Sequence, residues 1–262
     1  METYRIFGKI GELQQQRKSF ALITVIETRG STPREAGAKM IVLENGEIFG
    51  TVGGSAVEAI VVGDALTALR ENRTIRCTHD LNDLEKTDTG MICGGTMAFY
   101  IEPVKAAPRL FIFGGGHCGL PLARAAAEVG FECTVIDDRP EFASKERFPG
   151  TTTVVNAAPD EAFKQLSFEE IDYVAIVTRN HELDYQVLKH VIRNKLAYIG
   201  LIGSKAKKMQ IFKKLLDSGI TEAELNRVYC PIGLEINAES PQEIAVSIVA
   251  QLIAVKNGTA KK

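Results

Sequence analysis

Apolar residues change their spacing along this chain, and the change falls near residue 105. Residues 3 to 18 set Ile6, Phe7, Ile10 and Leu13 at helical intervals among glutamines and charges, which predicts an amphipathic helix. Residues 20 to 28 (FALITVIET) form a β-type run. Residues 39–43 and 47–52 flank Asn45-Gly46, the dipeptide best suited to a tight hairpin. Ser55 and Glu58 match a capping box and predict a helix over 56–70. Strands are expected at 74–78 and 96–102, separated by a polar stretch. The short segment PVKAAP, 103–108, breaks the periodicity. Beyond it, strands fit at 109–113, 132–137, 152–155, 173–178 and 197–202, with helices between them. Such alternation predicts a parallel sheet with helices on both faces. Ser240-Pro241-Gln242-Glu243 opens a last helix, with a capping box and proline in its first turn. The expected fold class is therefore α/β: a C-terminal Rossmann-like domain (105–262) preceded by a smaller N-terminal α+β domain (1–104).

Composition narrows the setting. The 262 residues are 45% hydrophobic and 24% charged, with a net charge of −2. That balance fits a globular protein and argues against a large nucleic-acid or membrane-surface footprint. No apolar run reaches the roughly 18 residues of a membrane span. The first residues lack the apolar core of a signal peptide. Five cysteines without paired spacing point to free thiols in a reducing compartment, so a cytoplasmic location is expected. There is no CxxC and no metal-type His/Cys spacing.

Within the second half, the strand Leu110–Phe113 stops at Gly114-Gly115-Gly116-His117-Cys118-Gly119, a match to G-x-G-x-x-G that leads into an alanine- and leucine-rich helix. Glycines let a ligand approach the backbone, and a helix start offers unpaired N–H groups and partial positive charge. Asp137 ends the next strand eighteen residues after Gly119, near the spacing of a ribose-binding acid. Ligands of open parallel sheets bind beyond the carboxyl ends of the strands. That edge gathers the glycine loop, Asp137-Asp138-Arg139, Thr178-Arg179-Asn180-His181 and Gly203-Ser204-Lys205 with Lys207 and Lys208. It suits a ligand with a phosphate at one end and a hydrogen-bonding heterocycle at the other.

Individual side chains remain open to two readings. His117 is either a neutral imidazole facing a ligand or an exposed residue at a helix start. His181 is placed for function, whereas His79 and His190 read as surface positions. Cys93 stands before Gly94 and Gly95, whose N–H groups would favour a thiolate. It reads as a nucleophile, soft-metal ligand or sulfur carrier, or as a small buried hydrophobe. Cys118 reads as packing, Cys77 and Cys133 as core, and Cys230 stays undecided. Gly53-Gly54-Ser55, served by Arg34 from the GSTPR turn, is a second candidate anion site or a plain capped helix.

Several motifs, in order, carry a resemblance: GSTPREAGAKM (30–40), GTVGG followed by Glu58, MICGG (91–95), FGGGHCG, VIDDRPEFA (135–143), YIGLIGSKAKK (198–208) and PIGLEINAESPQEIAVSIVAQ (231–251). Over about residues 20 to 255 the chain resembles the XdhC/CoxI family, accessory and maturation factors of xanthine dehydrogenase and related molybdenum hydroxylases. The resemblance implies a chaperone without independent catalysis. It would hold the molybdopterin form of the molybdenum cofactor, support its sulfuration with a cysteine desulfurase and deliver it to the apo-hydroxylase. It implies a Rossmann C-terminal half and a homodimer. Cys93 then becomes a candidate contact to molybdenum or its sulfur, and His117 and His181 match histidines of the family. Position 179 departs from the family's common histidine with Arg179, and Asn237 replaces a glycine, a tolerable exchange if the backbone needs a positive φ.

Three functions compete: the cofactor chaperone, an NAD(P)-dependent oxidoreductase, and a nucleotide sensor without chemistry. The oxidoreductase reading draws on G-x-G-x-x-G and Asp137, which would favour NAD by repelling a 2′-phosphate. The chaperone reading ranks first on the resemblance, with a ligand expected to bridge the two domains.

Overall fold

A computed structural model describes residues 2–81, 95–148, 150 and 152–260. The chain divides into two compact units, 1–106 and 107–262. The first comprises α1 (Glu2–Gln15), β1 (Phe20–Gly30), β2 (Lys39–Leu43), β3 (Ile48–Gly50), α2 (Ser55–Glu71), β4 (Ile75–Asp80) and β5 (Gly95–Val104). Its strands pair antiparallel in the order β3-β2-β1-β5-β4. Alternation sorts the side chains of β1 and β2 between two clusters. Ala21, Ile23, Met40 and Val42 pack with Val57, Val61, Ala65 and Ala68 of α2. Phe20 and Ile41 pack instead with Ile6 and Leu13 of α1.

Two local expectations are corrected here. β1 runs on to Gly30 through a register shift between Val25 and Glu27, so it is longer than its apolar pattern. The cap of α2 is Gly54, at φ 97°, rather than Ser55. The Glu58 carboxylate turns back to accept hydrogen bonds from the N–H groups of Val52 (3.3 Å) and Gly54 (3.2 Å) and from the Thr51 hydroxyl (2.5 Å). The anion held at that helix start is therefore the chain's own Glu58.

The second unit holds β6 (Arg109–Phe113), α3 (Gly119–Glu128), β7 (Glu132–Asp137), β8 (Thr153–Asn156), α4 (Pro159–Phe163), β9 (Tyr173–Ile176), α5 (His181–Val191), β10 (Tyr198–Leu201), α6 (Lys205–Asp217), α7 (Glu222–Leu225), β11 (Val228–Tyr229) and α8 (Pro241–Lys256). All six strands are parallel, in the order β11-β10-β9-β6-β7-β8. The chain starts at β6, steps outward to β8, then returns to β9 on the other flank of β6. Strand order thus reverses between β6 and β9, which is where Rossmann-type sheets open a ligand crevice. The strands are apolar on both sides because both faces are covered. Leu110, Ile112, Val135 and Ala175 meet Leu122 and Ala126 of α3 and Ile248 and Leu252 of α8. Phe111, Phe113, Val174 and Ile176 meet Val187 and Leu188 of α5 and Ile211 and Leu215 of α6. The two-residue strand β11 was not anticipated, being too short to show any periodicity. The α8 capping box forms as expected between Ser240 and Glu243.

Candidate functional site

The glycine loop turns from β6 into α3 at the point of strand reversal. Gly114 has φ +116°, and a Cβ there would collide with the carbonyl of Val177, the residue just after β9. A Cβ on Gly115 would strike the Phe142 carbonyl, and one on Gly119 the Gly114 carbonyl. These three glycines are demanded by the chain's own backbone packing. Gly116 is different. It lacks a positive φ, and the nearest atom to a Cβ there would be Arg139 Nη2 at 3.9 Å. Neither strain nor crowding within the protein explains a glycine at that position.

Side chains then hold the loop. Asp137, buried at the end of β7, accepts the Gly115 N–H through Oδ2 at 2.9 Å. Arg139 closes on the same carboxylate with Nε to Oδ1 at 2.9 Å and Nη2 to Oδ2 at 3.0 Å. Its guanidinium lies over the Phe142 ring, 3.7 Å from the centroid. Arg147 donates to the carbonyls of Gly115 (3.0 Å) and Gly116 (3.4 Å). The Gly115 and Gly116 carbonyls are thereby covered; the Gly116 carbonyl also accepts the Leu120 N–H at 3.1 Å, and Pro121 in the first turn of α3 carries no N–H.

A row of polar contacts joins the loops along this edge. Asp138, next to Asp137, pairs with both ends of the Arg179 guanidinium (Nη2 to Oδ2 at 2.8 Å). The guanidinium holds the Asp138 carboxyl below the usual carboxylate range. Beside this pair lies a shallow crevice of about 20 Å³, lined by Phe113, Gly114, Asp137, Pro159, Thr178 and Arg179 among others. Thr178 donates to Asp184 Oδ1 at 2.7 Å, and Lys207 of α6 ion-pairs with Oδ2 of that aspartate. Asp184 is fully buried. Burial pushes its carboxyl up, and Lys207 and Thr178 partly offset the rise. The loops after β6, β7 and β9 and the first turn of α6 are therefore linked in sequence across the sheet.

Of the residues singled out in the sequence, Gly114 to Gly119, Asp137, Arg139, Arg179, Ser204 and Lys205 stand on this edge. His117 is exposed at the loop tip, and His181 is exposed as the first residue of α5. Ser204 caps α6, accepting the Lys207 N–H at 3.3 Å, with Lys205 exposed beside it. No acidic residue occupies the first turn of α6. Cys93 and Gly94 lie outside the described residues. Gly95 opens β5 opposite Gly30, and a Cβ on it would collide with the Arg29 carbonyl. Burial pushes the Cys118 and Cys230 thiols up, so neither environment favours thiolate.

Two assignments change. Cys77 is only half-buried, and His79 is not a plain surface residue: its Nε2 sits 2.8 Å from Asp64 Oδ2. Sequence reasoning also missed Asp184. It shares a helical stripe with Val187, Leu188 and Val191, and an acid on an apolar stripe signals a buried pair.

Strand order and glycine loop define a Rossmann-type α/β unit joined to an antiparallel-sheet unit. The chain belongs to the XdhC/CoxI family: the XdhC Rossmann domain matches residues 110–252, and the XdhC and CoxI family pattern matches 13–80. It is 35% identical to the uncharacterized protein YqeB of Escherichia coli (strain K12), over 96% of this chain and 46% of that one. It is 33% identical to a probable xanthine dehydrogenase subunit of Bacillus subtilis (strain 168), over 63% of this chain and 48% of that one. The molybdenum cofactor insertion chaperone PaoD of E. coli K12 is 25% identical, over 91% of this chain and 84% of its own length. The chain spans about half the length of the first two relatives. A crystal structure of a xanthine dehydrogenase from Bacillus halodurans shares the fold, with a TM-score of 0.53 at 24% identity, over 95% of this chain and 96% of that one. Among the described residues no helix is long and apolar enough to cross a membrane.

Proposed function

We propose that this chain is a maturation chaperone of a xanthine dehydrogenase-type molybdenum hydroxylase. In this reading it holds the molybdenum cofactor, supports its sulfuration beside a cysteine desulfurase, and inserts it into the apo-hydroxylase. The family and the molybdenum-linked relatives favour the general role. Gly116 is the observation that carries the binding site. A glycine that the fold itself does not require, at a helix start on the strand-reversal edge, leaves room for a ligand's phosphate against the backbone. Lys205 and the acid-free first turn of α6 add positive potential on the same edge. When bound, the cofactor brings the molybdenum centre that the hydroxylase uses; this chain's residues bind, orient and shield it. Cys93 is the thiol assigned to contact with molybdenum or its sulfur, and homodimerisation belongs to the same reading.

A dinucleotide fits the edge less well. Both Asp137 oxygens are engaged by Arg139 and the Gly115 N–H, so the carboxylate is already committed within the loop. Calorimetry with molybdenum cofactor and, separately, with NAD tests the choice. Cofactor binding that is lost in Gly116→Val without loss of folding is the expected result. Tight NAD binding with hydride transfer and no cofactor binding would overturn the proposal. Replacing Cys93 with serine should impair activation of the apo-hydroxylase, and unchanged activation would remove its assigned role.

A further inference from the structure

We infer that Asp64, Cys77 and His79 form a binding site for a borderline-soft divalent cation, zinc by preference, in the antiparallel unit. One ligand atom from each of the three residues lies within 4.8 Å of the others. The placement follows from the fold. Cys77 and His79 are two residues apart on β4 and therefore share a face, while Arg76, Thr78 and Asp80 point outward and are exposed. Asp64 belongs to α2, between Val61 and Ala65 of the stripe that packs on this sheet. Asp64 and His79 face each other at 2.8 Å between helix and sheet, and Cys77 packs on the apolar cluster beside them.

The donor chemistry is selective. Thiolate, imidazole and carboxylate together match zinc's preferred ligands and carry two negative charges, which balance a dication. Calcium and magnesium, which prefer all-oxygen shells, are disfavoured. Three protein ligands leave a fourth position open, as in zinc sites that keep a water or a second ligand. Access is not blocked: the side chains of His79 and Asp64 keep 23% and 33% of their exposure. His79 also leans against Phe99, with ring centroids 5.9 Å apart, which limits its motion. Without a cation, the half-buried Cys77 thiol lies beside the Asp64 carboxylate and the His79 imidazole. Coordination to a dication deprotonates a thiol outright. Binding therefore releases one proton from Cys77 to solvent and changes no oxidation state.

The site belongs to the first unit, whereas the glycine-loop edge belongs to the second. β4 leads in sequence toward Cys93, fourteen residues beyond His79. A cation at the end of β4 would fix the strand from which that segment departs.

Cobalt(II) is the spectroscopic probe, with zinc(II) as competitor, on the full chain after chelator treatment. The expected result is one equivalent of cobalt with a thiolate charge-transfer band and tetrahedral visible bands, displaced by zinc. The band should disappear in Cys77→Ser and persist in Cys93→Ser. His79→Gln and Asp64→Asn should each weaken binding by more than the roughly 10- to 100-fold that loss of an outer-shell partner costs. Alkylation of Cys77, followed by peptide mass spectrometry of the unmutated protein, covers the case in which a variant does not fold. Zinc should protect Cys77 while leaving Cys118 labelling unchanged. Absence of the band, its survival in Cys77→Ser, or Cys77 labelling that zinc does not slow would overturn the inference.

Discussion

At the scale of single residues, the glycine loop separates two kinds of glycine that its motif makes look alike. Gly119→Ala would drive a Cβ into the Gly114 carbonyl, and backbone on both sides leaves little room to yield. Thermal or urea unfolding should show a loss of about 1–3 kcal/mol, the usual cost of overpacking. Gly116→Ala should unfold within about 0.5 kcal/mol of the unmutated chain, as substitutions in open space do. The Asp138–Arg179 pair gives a pH prediction. Arg179 depresses the folded-state value of Asp138, so the pair's contribution is present above the unfolded value, about 3.9. It is lost as pH falls through the lower folded value. Carbon-detected titration of Asp138 should show its midpoint rise toward an ordinary carboxylate in Arg179→Ala; an unchanged midpoint would mean that Arg179 does not set it. Much of this edge was legible from residue types alone, including Asp137, Arg139, Arg179 and Lys205. What these groups touch was not. Arg139 closes on Asp137 across one intervening residue, and Arg179 on Asp138 across forty-one positions, which only the fold brings together.

At the scale of elements, buried polar side chains hold loops that periodicity cannot position. Gln251 of α8 accepts from the Tyr198 hydroxyl at 2.5 Å and from the Gly233 N–H at 2.9 Å, and donates to the Gly233 carbonyl at 3.0 Å. Ser247 donates to the Leu234 carbonyl at 2.6 Å. Gln251→Leu removes three bonds and leaves a buried hydroxyl without its acceptor. A cost of about 4–6 kcal/mol is expected in chemical unfolding, at about 1 kcal/mol per bond plus about 1–3 for the stranded hydroxyl. Lys207→Met should cost about 3–5 kcal/mol, because it strands the buried Asp184 carboxylate. Adding Asp184→Asn should recover part of that loss, and no recovery would argue against a stranded charge. Asn237 adopts φ 55°, as its exchange for glycine requires. Helices and long strands followed their apolar spacing closely. The departures were short or polar: β11, the far end of β1, and the α2 cap, where Glu58 overrode the Ser55 pattern.

At the scale of the molecule, each unit has its own core, two clusters in the first and two in the second. The second should therefore fold when expressed alone as residues 107–262. If the phosphate end of the cofactor is read by the glycine-loop edge, this fragment should bind the cofactor within about 10-fold of the full chain, a difference of about 1.4 kcal/mol. Complete loss would assign an indispensable share to the first unit and favour a bridging ligand. Fold class was legible because alternation of strand and helix is a long-range pattern. The Asp64–Cys77–His79 cluster was not, although Cys77-x-His79 on a strand already puts two ligands on one face. The third comes from a helix whose docking the sequence does not announce.

The self-packing of Gly114, Gly115 and Gly119 bears on divergence. A descendant that abandoned its ligand would still have to keep those three positions or refold the turn. Gly116 alone would be free to drift. Among relatives, then, the fingerprint as a whole records inheritance of a fold, and on the proposed reading the residue at position 116 would record whether a ligand still binds there.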